Sequence, residues 1–220
     1  VRWVRAFPPC SGGRAGPRAG MARRARGRCM NGYLLSPVEF LVRTLFELYI
    51  LAVMLRFLLQ WVRADFYNPV SQFLVKITNP LLRPLRRIIP GVAGLDMAAV
   101  VLMLVLEMVA MGLVAWLRGG GVGPAGIVLW SVAELTALAF NIFIFSIIIQ
   151  AVLSWVNPGT YNPVTGLLYS LNAPVLRPFS RLLPPISGVD LSPLFAILAL
   201  QVVKMLIVPL LQQAALGVGV

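Results

Sequence analysis

Residues 67–96 read YNPVSQFLVKITNPLLRPLRRIIPGVAGLD, and residues 161–190 read YNPVTGLLYSLNAPVLRPFSRLLPPISGVD. The second stretch is the first displaced by 94 positions, and the register holds without a gap from Arg56–Glu107 to Gln150–Gln201. Asn68, Pro69, Pro80, Arg83, Pro84, Arg87, Pro90, Gly94 and Asp96 recur as Asn162, Pro163, Pro174, Arg177, Pro178, Arg181, Pro184, Gly188 and Asp190. These residues set backbone direction and charge, so chance alignment of apolar runs does not account for them. The chain is a duplicated unit, and what was duplicated is where function is expected.

Outward from these stretches the chain turns apolar. It is 59% hydrophobic and 12% charged, with a mean hydropathy of +0.87, beyond what a soluble domain of this length carries. Four segments are apolar enough to cross a bilayer: Val38–Val62, Asp96–Trp116, Ile127–Val156 and Pro193–Leu211. The expected fold is an all-α membrane protein of two tandem parallel repeats, 30–118 and 127–216, with a Gly-rich linker from Gly119 to Gly126 between them. Each repeat is two spans joined by a basic interfacial segment. Two spans return the chain to its starting side, so both repeats share one orientation, unlike the inverted repeats of many transporters.

The connectors carry the densest pattern. Asn68-Pro69 is a helix start, and Asn79-Pro80 repeats that signal, which predicts two short helices ending at Pro90-Gly91. Val70, Phe73, Leu74 and Ile77, then Leu81, Leu82, Leu85, Ile88 and Ile89, make apolar stripes opposed by Lys76, Arg83, Arg86 and Arg87. Repeat 2 opposes its stripe with Arg177 and Arg181. Helices of this kind lie flat at lipid headgroups, and their arginines meet phosphates or a partner's carboxylates. Ser36-Pro37 and Ser192-Pro193 read as the starts of the first and fourth spans, and Asp96 as a cap of the second. For Asp96 and Asp190 a salt bridge to the connector is the alternative to capping.

The net charge of +12 comes largely from the N-terminus, where eight of the nineteen basic residues precede Met30. Residues 1–29 are rich in Arg, Gly, Ala and Pro and are expected to be a disordered basic extension. The chain opens with Val, and Met30 is the expected start; a basic arm on anionic lipid is the other reading. With the extension set aside, connector charge places both connectors in the cytoplasm and both termini outside. A nucleic-acid partner is not expected.

The chain has no histidine, and its cysteines are Cys10 and Cys29. That excludes His-based acid–base catalysis and His- or Cys-ligated metal within the spans. No phosphate-binding glycine loop, activated nucleophile or paired carboxylates in a pocket can be read, so no catalytic residue and no cofactor is expected. The polar residues within the spans are Glu39, Arg43, Glu47, Arg56, Glu107, Glu134, Gln201 and Lys204. They form either a proton or cation path or a set of interhelical pairs, with Arg56 snorkelling to the interface. Duplication favours the pairs: Glu47, Arg56 and Glu107 become Asn141, Gln150 and Gln201, so polarity is kept while charge is lost. The tryptophans and tyrosines fall at span ends, as an aromatic belt does.

Two copies of Asn-Pro, Pro-x-x-Arg-Pro, Arg-hydrophobic-hydrophobic-Pro and Gly-x-Asp before an apolar span resemble the YggT family of small bacterial membrane proteins, whose Gram-positive, cyanobacterial and plastid relatives go by YlmG. The resemblance covers Leu34–Leu211. It implies a multi-pass protein of the bacterial inner membrane, linked in relatives to osmotic tolerance, to division and nucleoid or septum organisation, and in plastids to maturation of a cytochrome b–type complex. The departures from the pattern, Ala173 for Asn79 and Ser180 for Arg86, leave repeat 1 with the stronger basic surface. The function expected is a non-enzymatic membrane assembly or organising factor that holds anionic lipid headgroups and either a membrane protein partner or further copies of itself. The alternative is an ion- or osmotic-balance channel or transporter-associated protein using Glu107, Glu134 and Lys204.

Overall fold

The computed structural model describes residues 19–65, 67–89, 91, 95–117, 123–156, 162–182 and 190–218, with side chains from Pro37 onward except those of Trp155 and Val218. Six helices follow one another: α1 (Ala19–Trp61), α2 (Pro69–Ile88), α3 (Met97–Leu117), α4 (Pro124–Val156), α5 (Pro163–Leu182) and α6 (Ser192–Val218). Three segments are long and apolar enough to cross a membrane: Met97–Leu117, Pro124–Ser154 and Ser192–Gly217. They match the second, third and fourth expected spans. The first, Val38–Val62, is the C-terminal half of α1 and runs one residue past that helix.

Two compact units divide the chain, 1–44 and 45–220. In the first, α1 begins at Ala19, inside the extension expected to be disordered; residues 1–18 lie outside the described residues. Ala and Arg are good helix formers, and they carry the helix back from the apolar segment. Pro37 therefore sits inside α1 instead of opening it. A proline inside a helix removes the hydrogen bond of its own nitrogen and crowds the carbonyl four residues earlier, yet the helix continues on its N-terminal side here.

In the second unit the core gathers Ile50, Val53, Met54, Leu58 and Leu59 of α1 with Leu74 and Leu82 of α2, Ala98, Ala99, Leu102 and Met103 of α3, and Ile142 and Phe143 of α4. Alanines in α3 let that helix approach closely, as small residues do in membrane bundles. In repeat 2, α4 packs most extensively on α6, and α5 lies against both. Helices α3 and α4 join the repeats, and α2 touches α5.

The connectors correct the expectation of two short helices. Each is one helix of 20 residues that runs through two prolines, Pro80 and Pro84 in α2 and Pro174 and Pro178 in α5. The prolines are one turn apart and exposed. They deprive only the carbonyls of Lys76 and Pro80, or of Ser170 and Pro174, of their usual donors, and these lie on the outer side of the helix. Asn68 caps α2 as expected, its Oδ1 accepting from the Val70 N–H at 3.0 Å. At α5 the device is reversed: the Thr165 hydroxyl accepts from the Asn162 N–H at 3.1 Å and donates to the Asn162 carbonyl at 2.7 Å. Pro90 and Pro184 lie outside the described residues.

Helix α1 stops with a left-handed residue. Arg63 has φ 53°, its N–H donates to the Gln60 carbonyl, and the Ala64 N–H donates to the Leu59 carbonyl at 2.9 Å. Glycine usually fills this closing position because a side chain there is strained by about 1–2 kcal/mol. Arg63→Gly should therefore raise the thermal unfolding midpoint of the detergent-purified protein, by the equivalent of about 1 kcal/mol. Arg63→Val should lower it, because a β-branched residue resists positive φ most.

Candidate functional site: the connector helices

Each connector is fastened to the long helix before it by a buried polar tie at the same repeat position. In repeat 1, Arg56 is 6% exposed, and its Nη1 donates to Thr78 Oγ1 at 2.6 Å and to Asn79 Oδ1 at 2.9 Å. Thr78 passes its own proton to the Leu74 carbonyl at 2.7 Å. In repeat 2, 94 residues on, Asn172 Nδ2 donates to Gln150 Oε1 at 2.7 Å, and the Ser146 hydroxyl donates to Asn172 Oδ1 at 2.5 Å. Thr78 and Asn172 are fully buried. Arg56 thus does not snorkel to the interface; it bonds inward to the connector. Asn79, read in the sequence as a second helix start, is an acceptor in this tie.

With its inner side so held, α2 presents three faces. Ser71, Leu74, Thr78 and Leu82 are buried against the protein. Val70, Phe73, Ile77, Leu81 and Ile88 form an exposed apolar stripe, about 100° round the helix. Lys76, Arg83 and Arg87 form an exposed basic stripe a further 100° round, and no hydrogen-bond or ion-pair partner meets them among the described residues. The two apolar stripes predicted from sequence are therefore divided between core and surface. Arg86 stands apart from the other basic residues: its Nε and Nη2 both bond Asp96 Oδ2 in an ion pair with the start of α3. Asp96 is buried, and the ion pair is its side chain's role.

In α5 the stripe equivalent to Phe73 and Ile77 is covered, because Leu167 and Leu171 are buried. Arg177 and Arg181 stay exposed and unpartnered among the described residues. Ser180 stands where Arg86 does, so no equivalent partner meets Asp190 among the described residues. It is exposed and accepts from the Ser192 N–H at 2.9 Å, which makes it the capping group of α6. The Ser192 hydroxyl, expected to be that cap, is buried without a partner among the described residues. The two connectors meet at their starts, where Asn68 Nδ2 donates to the Pro163 carbonyl at 2.6 Å.

The polar residues within the spans are dispersed. Glu134 accepts from the Trp130 indole at 3.0 Å. Lys204 of α6 donates to Asn141 of α4. Glu107 is buried in α3, Gln201 is exposed on α6, and Glu47 is exposed on α1. Among the described residues no cluster of three or more Cys, Asp or Glu is placed to hold a metal ion. A groove of about 600 Å³ between α5 and α6 is lined by Phe179, Leu182, Phe195, Leu198, Ala199, Val202 and Val203, all apolar. Sequence reasoning missed Thr78, Asn172 and Ser146, the neutral members of the ties. The signal for Thr78 and Asn172 was the shared 94-residue offset of positions 56 with 150 and 78 with 172, each pair polar in both copies; Ser146, opposite Ala52, gave none.

The profile of the family described as CCB3/YggT matches residues 35–117 and again 129–211. The chain belongs to this family. It is 50% identical over 171 residues to an uncharacterized protein of Pseudomonas aeruginosa, covering 77% of this chain and 87% of that one. It is 35% identical over 184 residues to the uncharacterized protein YggT of Escherichia coli K12, covering 81% and 93%. An uncharacterized Vibrio alginolyticus protein is 40% identical over 171 residues, covering 76% and 91%. No solved structure matches the chain. In this CCB3/YggT chain both profile matches contain a whole tie: Arg56 with Thr78 in the first, Gln150 with Asn172 in the second.

The two ties occupy equivalent positions and should be interchangeable. Arg56→Gln alone should destabilise the protein by about 1–3 kcal/mol, because Thr78 and Asn79 lose a charged donor. Adding Ala52→Ser and Thr78→Asn writes the repeat 2 network into repeat 1 and should recover most of that loss. Thermal unfolding of the purified variants in one detergent measures both.

Proposed function

We propose that this chain is a non-enzymatic assembly or organising factor of the bacterial inner membrane, acting through the basic faces of its connector helices. One observation carries the reading: α2 is anchored inward, exposes an apolar stripe, and beside it exposes Lys76, Arg83 and Arg87 with no partner among the described residues. A helix with these faces fits a headgroup boundary, with the stripe among acyl chains and the cations at phosphates. The bond between Asn68 and Pro163 brings the start of the second basic connector beside the first, so both supply cations to one side of the bilayer. Arg86 contributes less, because it is committed to Asp96.

In this reading the chain crosses the membrane four times, with the C-terminal half of α1 as the first span. Connector charge sets the connectors in the cytoplasm and the termini outside. Stress tolerance, division and maturation of a membrane complex are the processes in which such a surface would serve, holding anionic lipid and a membrane protein partner. The ion-pathway reading has less support: Glu134 bonds neutral Trp130 and Lys204 bonds neutral Asn141, and the α5–α6 groove is apolar.

Two experiments test the proposal. Topology reporters fused at Gly121 and at the C-terminus should both read as external; a cytoplasmic signal at either reverses the orientation. In a deletion strain, Arg83→Gln with Arg87→Gln should impair growth under osmotic stress or division morphology at unchanged membrane abundance, each arginine contributing about 1 kcal/mol at an anionic surface. Glu107→Gln should be tolerated, because repeat 2 carries Gln201 at that position. The opposite pattern would replace the assembly reading with the ion-pathway reading.

A further inference from the structure

The span Ser192–Gly217 of α6 has its midpoint near Met205. Gln201, about one turn away, is exposed there and has no hydrogen-bond partner among the described residues. Glutamine at this depth is unusual on an open face, because hydrocarbon offers its amide neither donor nor acceptor. A second polar group lies on the same side. Pro209, inside α6, has no N–H, so the carbonyl of Met205 lacks its regular helical donor. Gln201 and Met205 are four residues apart and share a face. The face continues through Leu194 and Leu198, each 54% exposed. Leu194, Leu198, Gln201 and Met205 are spaced four, three and four, the seam spacing of a left-handed helix pair, here with one polar position.

The duplicated unit packs this face where it can. In repeat 1 the positions of Gln201 and Met205 are Glu107 and Met111. Glu107 is buried, and Met111 Sδ meets the Ser131 hydroxyl of α4 at 3.6 Å. Repeat 2 keeps the face but exposes it.

We propose that two copies of the chain pair through α6 along Leu194, Leu198, Gln201 and Met205, with the Gln201 amides hydrogen-bonded to each other across a two-fold axis normal to the membrane. The occupant is set by chemistry. A primary amide is both donor and acceptor, so it complements itself where two-fold symmetry brings it against its own copy. Copies inserted in one orientation place their α6 helices parallel, with Gln201 at equal depth, and the Met205 carbonyl supplies another acceptor one turn away. Interhelical glutamine bonds of this kind promote association in membranes.

Disulfide cross-linking of the full chain in native membranes tests this, with Cys10 and Cys29 changed to serine. Leu198→Cys, Gln201→Cys and Met205→Cys should each give a covalent dimer on oxidation. Val203→Cys and Leu210→Cys, exposed on the other side of α6, should give little. Gln201→Leu should weaken association about tenfold, read as loss of the Met205→Cys dimer at low expression. A second copy is overturned if no site yields a dimer, or if Gln201→Cys captures a protein of another size. The seam is overturned if all five sites cross-link alike, and the role of the amide is overturned if Gln201→Leu leaves the Met205→Cys dimer unchanged.

Discussion

The structure depends on one buried hydrogen-bonded contact made twice, between the long first helix of each repeat and the middle of its connector. A connector with four repeating prolines and arginines has no intrinsic reason to lie in one rotation about its axis. Burying Thr78 or Asn172 on a donor or acceptor of the preceding helix fixes that rotation, because a buried polar atom turned away from its partner costs about 1–3 kcal/mol. Everything that faces outward follows from it. In repeat 1 the fixed rotation sends Leu74 and Leu82 to the core, Phe73 and Ile77 to the apolar surface, and Arg83 and Arg87 to the basic surface.

Duplication then allowed the copies to diverge without losing the tie. Repeat 1 uses a guanidinium against a hydroxyl and an amide oxygen, whereas repeat 2 uses two amides and a hydroxyl, all neutral. A buried cation with neutral partners is the more demanding arrangement, since its charge must be solvated by dipoles alone. The same divergence appears at the connector ends. Arg86 makes Asp96 an ion-pair partner, and Ser180 leaves Asp190 to cap α6. One aspartate position therefore serves two roles, and the residue ten positions earlier in the chain, Arg86 or Ser180, decides which.

Most charge and amide groups within the spans serve packing in this arrangement. Lys204 with Asn141 and Glu134 with Trp130 satisfy one another inside the bundle, as polar groups must where water is absent. Gln201 is the departure from that rule, and it lies on the helix with the least covered span. The outward-facing chemistry of the protein thus comes at two depths, cationic at the connectors and amide at mid-span.

The sequence by itself determined the long apolar helices, the duplication and the family. Apolar length, capping residues and a 94-residue offset are local or pairwise features that need no tertiary partner to be read. It also marked Arg83, Arg87, Arg177 and Arg181 as surface cations, because their charge excludes them from an apolar core. Only the tertiary structure decided which apolar residues of each connector are core and which are surface, because one broad stripe is compatible with several rotations of a helix. It likewise decided that Pro80 and Pro84 lie within one helix, because the carbonyls they leave without donors lie on its outer side, and that Arg56 turns inward, because Thr78 and Asn79 lie within its reach. Asp96 could cap or pair on sequence grounds; the packing of α2 against α3 brings Arg86 to it, and proximity in space, which no linear pattern encodes, made the choice.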